Sequence, residues 1–264
     1  MPMHIVYINL DTRPDRKIHC EHELGKLDLA SKEIVRLSAV SLPDRRVGCS
    51  MSHLRALRMA RDRGWDRVMI VEDDICFTQP QWFSAALRRA LDGEIGFDVL
   101  LLAGNLATHL HGQRYVTPVA ALDSEAQLCR VERCWTTTGY VVNSHYYDRL
   151  IDNVSDGIKH LLTSPHLGAR FCIDVYWQHL MQSDEFLMIF PRTVSQLKSY
   201  SDIERKIIDY DWLMLDSFPC SPQSTHPAAH PPAYAAGLSL DATIQPAPPL
   251  DQPSETDLPA HRVD

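Results

Sequence analysis

No C-x₂-C pair occurs in this sequence; its seven cysteines are scattered and odd in number. That excludes a disulfide framework and fits a reducing compartment. Long apolar runs are missing too, and nothing approaches the roughly 20 residues that a membrane-crossing helix needs. Met1-Pro2-Met3-His4 leads straight into a strand-like run, without the charged start and apolar stretch of a signal peptide. The chain is therefore expected in the cytoplasm, with contact to the inner face of a membrane no closer than peripheral. Excess positive charge is the third absence. The formal net charge of -8 argues against a nucleic-acid partner, which needs a basic face. No internal repeat is visible.

What is present reads as a globular domain. With 45% hydrophobic and 23% charged residues in 264, the chain can bury one large core, with or without a tail. The composition changes near Phe218. Residues 1–218 read as the folded domain, and 219–264, with Pro231-Pro232 and Pro246-Ala247-Pro248-Pro249, as a disordered Pro/Ala-rich tail. Arg55, Arg58, Arg61 and Arg63 form a local basic cluster whose first three members share a helix face. A solvated stripe is the plain reading, and contact with anionic lipid or an acidic acceptor the other.

Apolar runs and turn residues place strands at Ile5–Ile8, Glu33–Leu37, Val68–Val71, Phe97–Leu102, Tyr140–Val142 and Phe186–Phe190. Shorter β-like runs fall at Tyr115-Val116 and Leu128–Trp135. Helices are expected over Asp15–Leu27, behind Pro14; from a cap at Ser50 or Ser52 to Gly64; and over Gln81–Leu91, His145–Ile151 and Ile173–Met181. Strand and helix alternate, which predicts a mixed, largely parallel central sheet covered on both faces.

Three adjacent acids, Glu72-Asp73-Asp74, close the strand Val68–Val71. Ligands bind at the carboxyl ends of strands in open α/β sheets, and like charges this close need water or a cation between them. Strand alternation would point Glu72 and Asp74 the same way and Asp73 the other. Two carboxylates so placed can hold Mg²⁺ or Mn²⁺ and leave positions for phosphate oxygens, the spacing of a D/E-x-D motif. An acidic turn capping the next helix is the bland alternative. A phospho-acceptor receiver domain fits poorly, because its acid pair follows the first strand and here the acids follow the third.

The order of Val6-Tyr7-Ile8-Asn9-Leu10 with Arg13 and Arg16, then Gly48-Cys49-Ser50-Met51-Ser52-His53, then Ile70-Val71-Glu72-Asp73-Asp74 resembles glycosyltransferase family 25. That family includes the lipooligosaccharide-biosynthesis galactosyltransferases and is related to the collagen galactosyltransferases. The resemblance continues through Thr138-Gly139-Tyr140-Val141-Val142-Asn143, Ile173-Asp174, Phe190-Pro191, Gln196 and Ser201-Asp202-Ile203. It implies a GT-A-like domain, a UDP-sugar donor, Mn²⁺ or Mg²⁺, and inverting transfer of a hexose, galactose first, to a glycan or lipooligosaccharide-like acceptor. Asp74 and Glu72 would ligate the metal; Asn9, Arg13, Arg16, Ser52, His53, Glu72 and Asp73 would face the nucleotide sugar. Ser50 to His53 could do so from a helix N-terminus, or could be a cap and a packed histidine.

Inversion needs a base on the acceptor side. Asp174 is the first candidate, with Asp202 and Glu185 behind it. Trp135, Tyr140 and Trp177 could stack on a sugar or simply fill the core. Cys49 reads as a small buried residue rather than a nucleophile. One departure stands out: many family members carry an acid just before the Gly-Cys segment, where this chain has Arg45-Arg46-Val47. A catalytically inactive nucleotide-sugar-binding module on the same fold is the alternative reading.

Overall fold

The computed structural model describes residues 2–106, 115–201 and 206–216; Asp202 and the tail from Pro219 lie outside them. The N-terminal part alternates β1 (Met3–Asn9), α1 (Pro14–Gly25), β2 (Lys32–Ser38), α2 (Arg45–Asp62), β3 (Arg67–Glu72), a short β4 (Ile75–Phe77) and α3 (Pro80–Asp92). There follow β5 (Val99–Leu101), β6 (Val116–Ala121), β7 (Gln127–Val131), β8 (Gly139–Asn143) and the long helix α4 (Tyr147–Thr163). Two single-turn helices, α5 (Ile173–Tyr176) and α6 (Gln178–Met181), lead to β9 (Phe186–Phe190), β10 (Val194–Gln196), β11 (Ser199–Ser201), β12 (Lys206–Ile208) and α7 (Asp211–Met214).

Eight strands form the main sheet in the order β2-β1-β3-β8-β5-β9-β7-β6. β8 runs antiparallel to β3 and β5, and β7 antiparallel to β9 and β6. The remaining six strands share one direction, because β1 is parallel to β2 and β3, and β5 to β9. The mixed, largely parallel sheet expected from the sequence is present.

Period-two alternation divides the core between the two faces. Val6, Ile8, Val68, Ile70, Tyr140 and Val142 face one layer, with Leu54 and Leu57 of α2 and Leu150, Ile151 and Val154 of α4. Ile5, Tyr7, Met69, Val71 and Val141 face the other, with Cys20 and Leu24 of α1 and Phe83 and Leu87 of α3. Among the described residues no helix is long and apolar enough to cross a membrane. Of the basic cluster, Arg61 is paired with Asp62 and Asp148, and Arg63 lies over the Trp65 ring.

One expectation fails in a way that matters for the site. α2 starts at Arg45, not at Ser50 or Ser52: Asp44 is its N-cap and accepts from the Arg46 N–H. Ser50 to His53 therefore lie in the second and third turns, where backbone N–H groups are spent inside the helix. The Ser52 hydroxyl accepts from Val40 N at 2.8 Å and donates to Gly48 O at 2.7 Å, binding α2 to the loop after β2. At the same place a Cβ on Gly48 would fall 2.5 Å from Val40 O. Gly48→Ala should cost about 1–3 kcal/mol through this clash with backbone, read as a lower denaturant midpoint at unchanged slope. Equal stability of variant and parent would show that the loop gives way freely.

Candidate active site

β1 and β3 end, and β8 begins, at one edge of the sheet, so chain segments remote in sequence meet there. β1 delivers Asn9, which is buried. Arg36 donates to Asn9 Oδ1 at 2.8 and 3.0 Å, which fixes the amide so that Nδ2 donates to Asp73 Oδ2 at 2.7 Å. α1 delivers Arg16. Its Nη1 donates to Asp73 Oδ1 at 3.1 Å and to Asp74 Oδ2 at 3.0 Å, while Nη2 donates to Ser199 Oγ and Tyr200 O. Arg13 instead grips Asp15 at 2.9 Å and offers its backbone carbonyl to Asn9.

The acids divide differently from the alternation expected of a strand. β3 stops at Glu72, and Asp73-Asp74 form a turn, so period two lapses at that point. Asp73 and Asp74 share the Arg16 guanidinium, whereas Glu72 turns to the other side. Glu72 Oε1 accepts from Thr137 Oγ1 at 2.5 Å and faces His53 Nε2 at 3.3 Å. The β3–β8 register, with Val71 opposite Gly139, puts Thr137 there. His53 is buried, and its Nδ1 lies 2.9 Å from the Tyr140 hydroxyl.

Burial governs the charges. It raises Asp73, against the opposing pull of Asn9 and Arg16. Burial, then the charge of Glu72, push Asp74 up to about 7. Burial also acts to raise Glu72, but the bonds and charge of His53 and Thr137 outweigh it and leave this carboxyl below its usual range. Asp74 Oδ1 is buried without a hydrogen-bond partner, and both bonds of Glu72 fall on Oε1. Asp74 Oδ1 is thus an unspent oxygen donor of the hard kind that Mg²⁺ or Mn²⁺ takes, while Glu72 is grouped with Cys49 and His53 within 4.8 Å and Asp74 is not.

Asp174 opens α5 and accepts from the Thr136 N–H at 3.2 Å. Burial raises its carboxyl, and the Glu72 charge adds to this, so the two carboxylates belong to one neighbourhood. Thr136 holds φ at 78°, an outlier for a β-branched residue that the surrounding structure must enforce.

No protein-family profile matches the sequence, and no curated protein matches it. Solved structures with a similar chain course include mannose-1-phosphate geranyltransferase from Thermus thermophilus, 12% identical, TM-score 0.43, over 71% of this chain and 73% of that one. The glycosyltransferase GlyE of Streptococcus pneumoniae aligns at 9% identity and TM-score 0.40, over 71% of this chain and 45% of that one. Mouse xyloside xylosyltransferase 1 aligns at 9% and 0.36, over 70% and 84%. Likeness of this degree carries no argument about chemistry, which rests on the side chains.

Several candidates sit elsewhere. Ser52 is spent on the α2 dock. Glu185 lies at the opposite sheet edge, before β9, paired with Arg130. Tyr140 and Trp177 are wholly buried and so are core, not sugar platforms; Trp135 is half-buried against Tyr115 and Arg133. Sequence reasoning missed Arg36, Thr136 and Thr137. Only the strand pairing reveals them, since no spacing links 36 to 9 or 137 to 72.

Proposed function

We propose that the chain is a GT-A-type glycosyltransferase similar to family 25, moving a hexose, galactose first, from a UDP-sugar to a hydroxyl of a glycan or lipooligosaccharide-like acceptor, with inversion. The observation that carries the reading is Asp74: a buried carboxylate at a strand's carboxyl end, with one oxygen unpartnered and further carboxylates beside it. A bound Mn²⁺ or Mg²⁺ would supply Lewis-acid stabilisation of the departing diphosphate.

The chain's own residues take the other roles. Arg16 holds Asp73 and Asp74 together and limits their repulsion. Asn9, oriented by Arg36, fixes Asp73. His53 and Thr137 hold Glu72 ionised. Asp174 would receive the acceptor's proton, and burial raises its carboxyl, the direction a general base needs. Arg13, the N-cap residue of α1, would face the donor beside these residues.

A thermal-shift screen of UDP-, GDP- and CMP-sugars, with and without Mn²⁺, tests this. A UDP-hexose with Mn²⁺ should raise the melting temperature most, because a ligand of the folded state adds its binding free energy. No shift with any nucleotide sugar would sink the proposal. A shift without UDP release across a broad acceptor panel would favour the inactive binding module.

A further inference from the structure

We propose that Cys49, His53 and Glu72 form a binding site for a borderline-soft divalent ion of the zinc type, sharing Glu72 with the oxygen donors beside Asp74. It stands on these three side chains whatever sugar is transferred. Cys49 and His53 are four residues apart on α2 and so share a face, and the end of β3 brings Glu72 against it. One ligand atom from each lies within 4.8 Å of the other two. Sulfur, imidazole and carboxylate from three residues is a zinc donor set and a poor one for Mg²⁺.

The surroundings are built for it. Tyr140 holds His53 Nδ1 and Thr137 holds Glu72 Oε1, the outer contacts that orient metal ligands. The Tyr140 hydroxyl can donate or accept, so the ring keeps its partner whether Nε2 carries a proton or a metal. Burial first, then negative charge from Glu72, Asp174 and Asp74, raises the Cys49 thiol well above its ordinary value; an incoming dication must displace that proton, and the same negative charges attract it. Among the described residues a second trio, His19, Glu23 and Cys76, has similar spacing, but its atoms are engaged. His19 Nε2 meets Ile75 O, and Glu23 takes the Phe77 N–H and the Lys26 ammonium.

The test is titration of the metal-free full-length protein with Co²⁺, whose thiolate complexes absorb by charge transfer in the near ultraviolet. Wild type should develop this band with one equivalent, and Zn²⁺ should abolish it by displacement. The band should vanish in Cys49→Ser, need at least tenfold more Co²⁺ in His53→Gln, and persist in Asp74→Asn and Cys76→Ser. No band in wild type, its survival in Cys49→Ser, or its loss in Cys76→Ser would overturn the site. A measurement on wild type guards against a misfolded variant. Zn²⁺ should slow modification of Cys49 by a small thiol reagent at least tenfold, read by peptide mapping; equal rates with and without Zn²⁺ would also overturn it.

Discussion

Asp174→Asn is expected to lower turnover about 10²- to 10⁴-fold, the usual worth of a general base, while leaving donor affinity within a few-fold. Asn keeps an oxygen for the Thr136 N–H, so the bond at 3.2 Å and the strained backbone at Thr136 survive the change. What is lost is the capacity to take a proton. The pH profile gives a second signature. Burial first, then the charge of Glu72, raise the Asp174 carboxyl, so kcat/KM of wild type should climb through a midpoint above the ordinary carboxylate value, and the variant should lack that limb. Turnover within threefold of wild type, measured as UDP release from a UDP-hexose, would remove Asp174 from the base role.

Asp74→Asn should abolish activity and yet stabilise the protein at neutral pH. The sign follows from linkage. Below about pH 4 the carboxyl is protonated in both folded and unfolded chains and contributes no difference. As pH rises from the ordinary value of 3.8 towards about 7, the unfolded chain releases its proton and the folded one retains it, so wild type loses stability. The loss runs at about 1.4 kcal/mol per pH unit, or an upper limit of roughly 4 kcal/mol. The variant escapes it, and Arg16 keeps Asp73 as its partner. The gap in melting temperature between variant and wild type should therefore be small near pH 4 and widen to a plateau above pH 7. Saturating Mn²⁺ should stabilise wild type and close part of the gap. A variant less stable than wild type at pH 8 would mean that Asp74 is held mainly by Arg16 and does not serve as a desolvated metal ligand.

Such a trade of stability for chemistry is what a functional site shows, and the sequence announced it only in part. The apolar runs at Ile5, Val68, Tyr140 and Phe186 all fall within observed strands, because burial on both faces leaves a signature in composition. Pro14 and Gly64 marked helix ends for stereochemical reasons, Gly64 with φ at 63°. The start of α2 was hidden, since Gly48 lowers helix propensity and is there for a close approach that only the fold reveals. Length was misjudged at α4, which continues to Thr163. Within the site, Asp74 and Asp174 were legible as residues, but their partners were not. Arg36 and Thr137 act through strand register, and Cys49 with His53 gains a third ligand only when β3 is laid beside α2.

The sheet order has a consequence for how the chain comes off the ribosome. β8 sits between β3 and β5, yet is synthesised after both. Until it inserts, Val68-Met69-Ile70-Val71 presents a bare, uncharged strand edge of the kind that recruits other chains. A chain in which β1 and β3 have paired and β8 has not thus carries its own future core as an adhesive surface, and Gly139 to Asn143 is the segment that covers it.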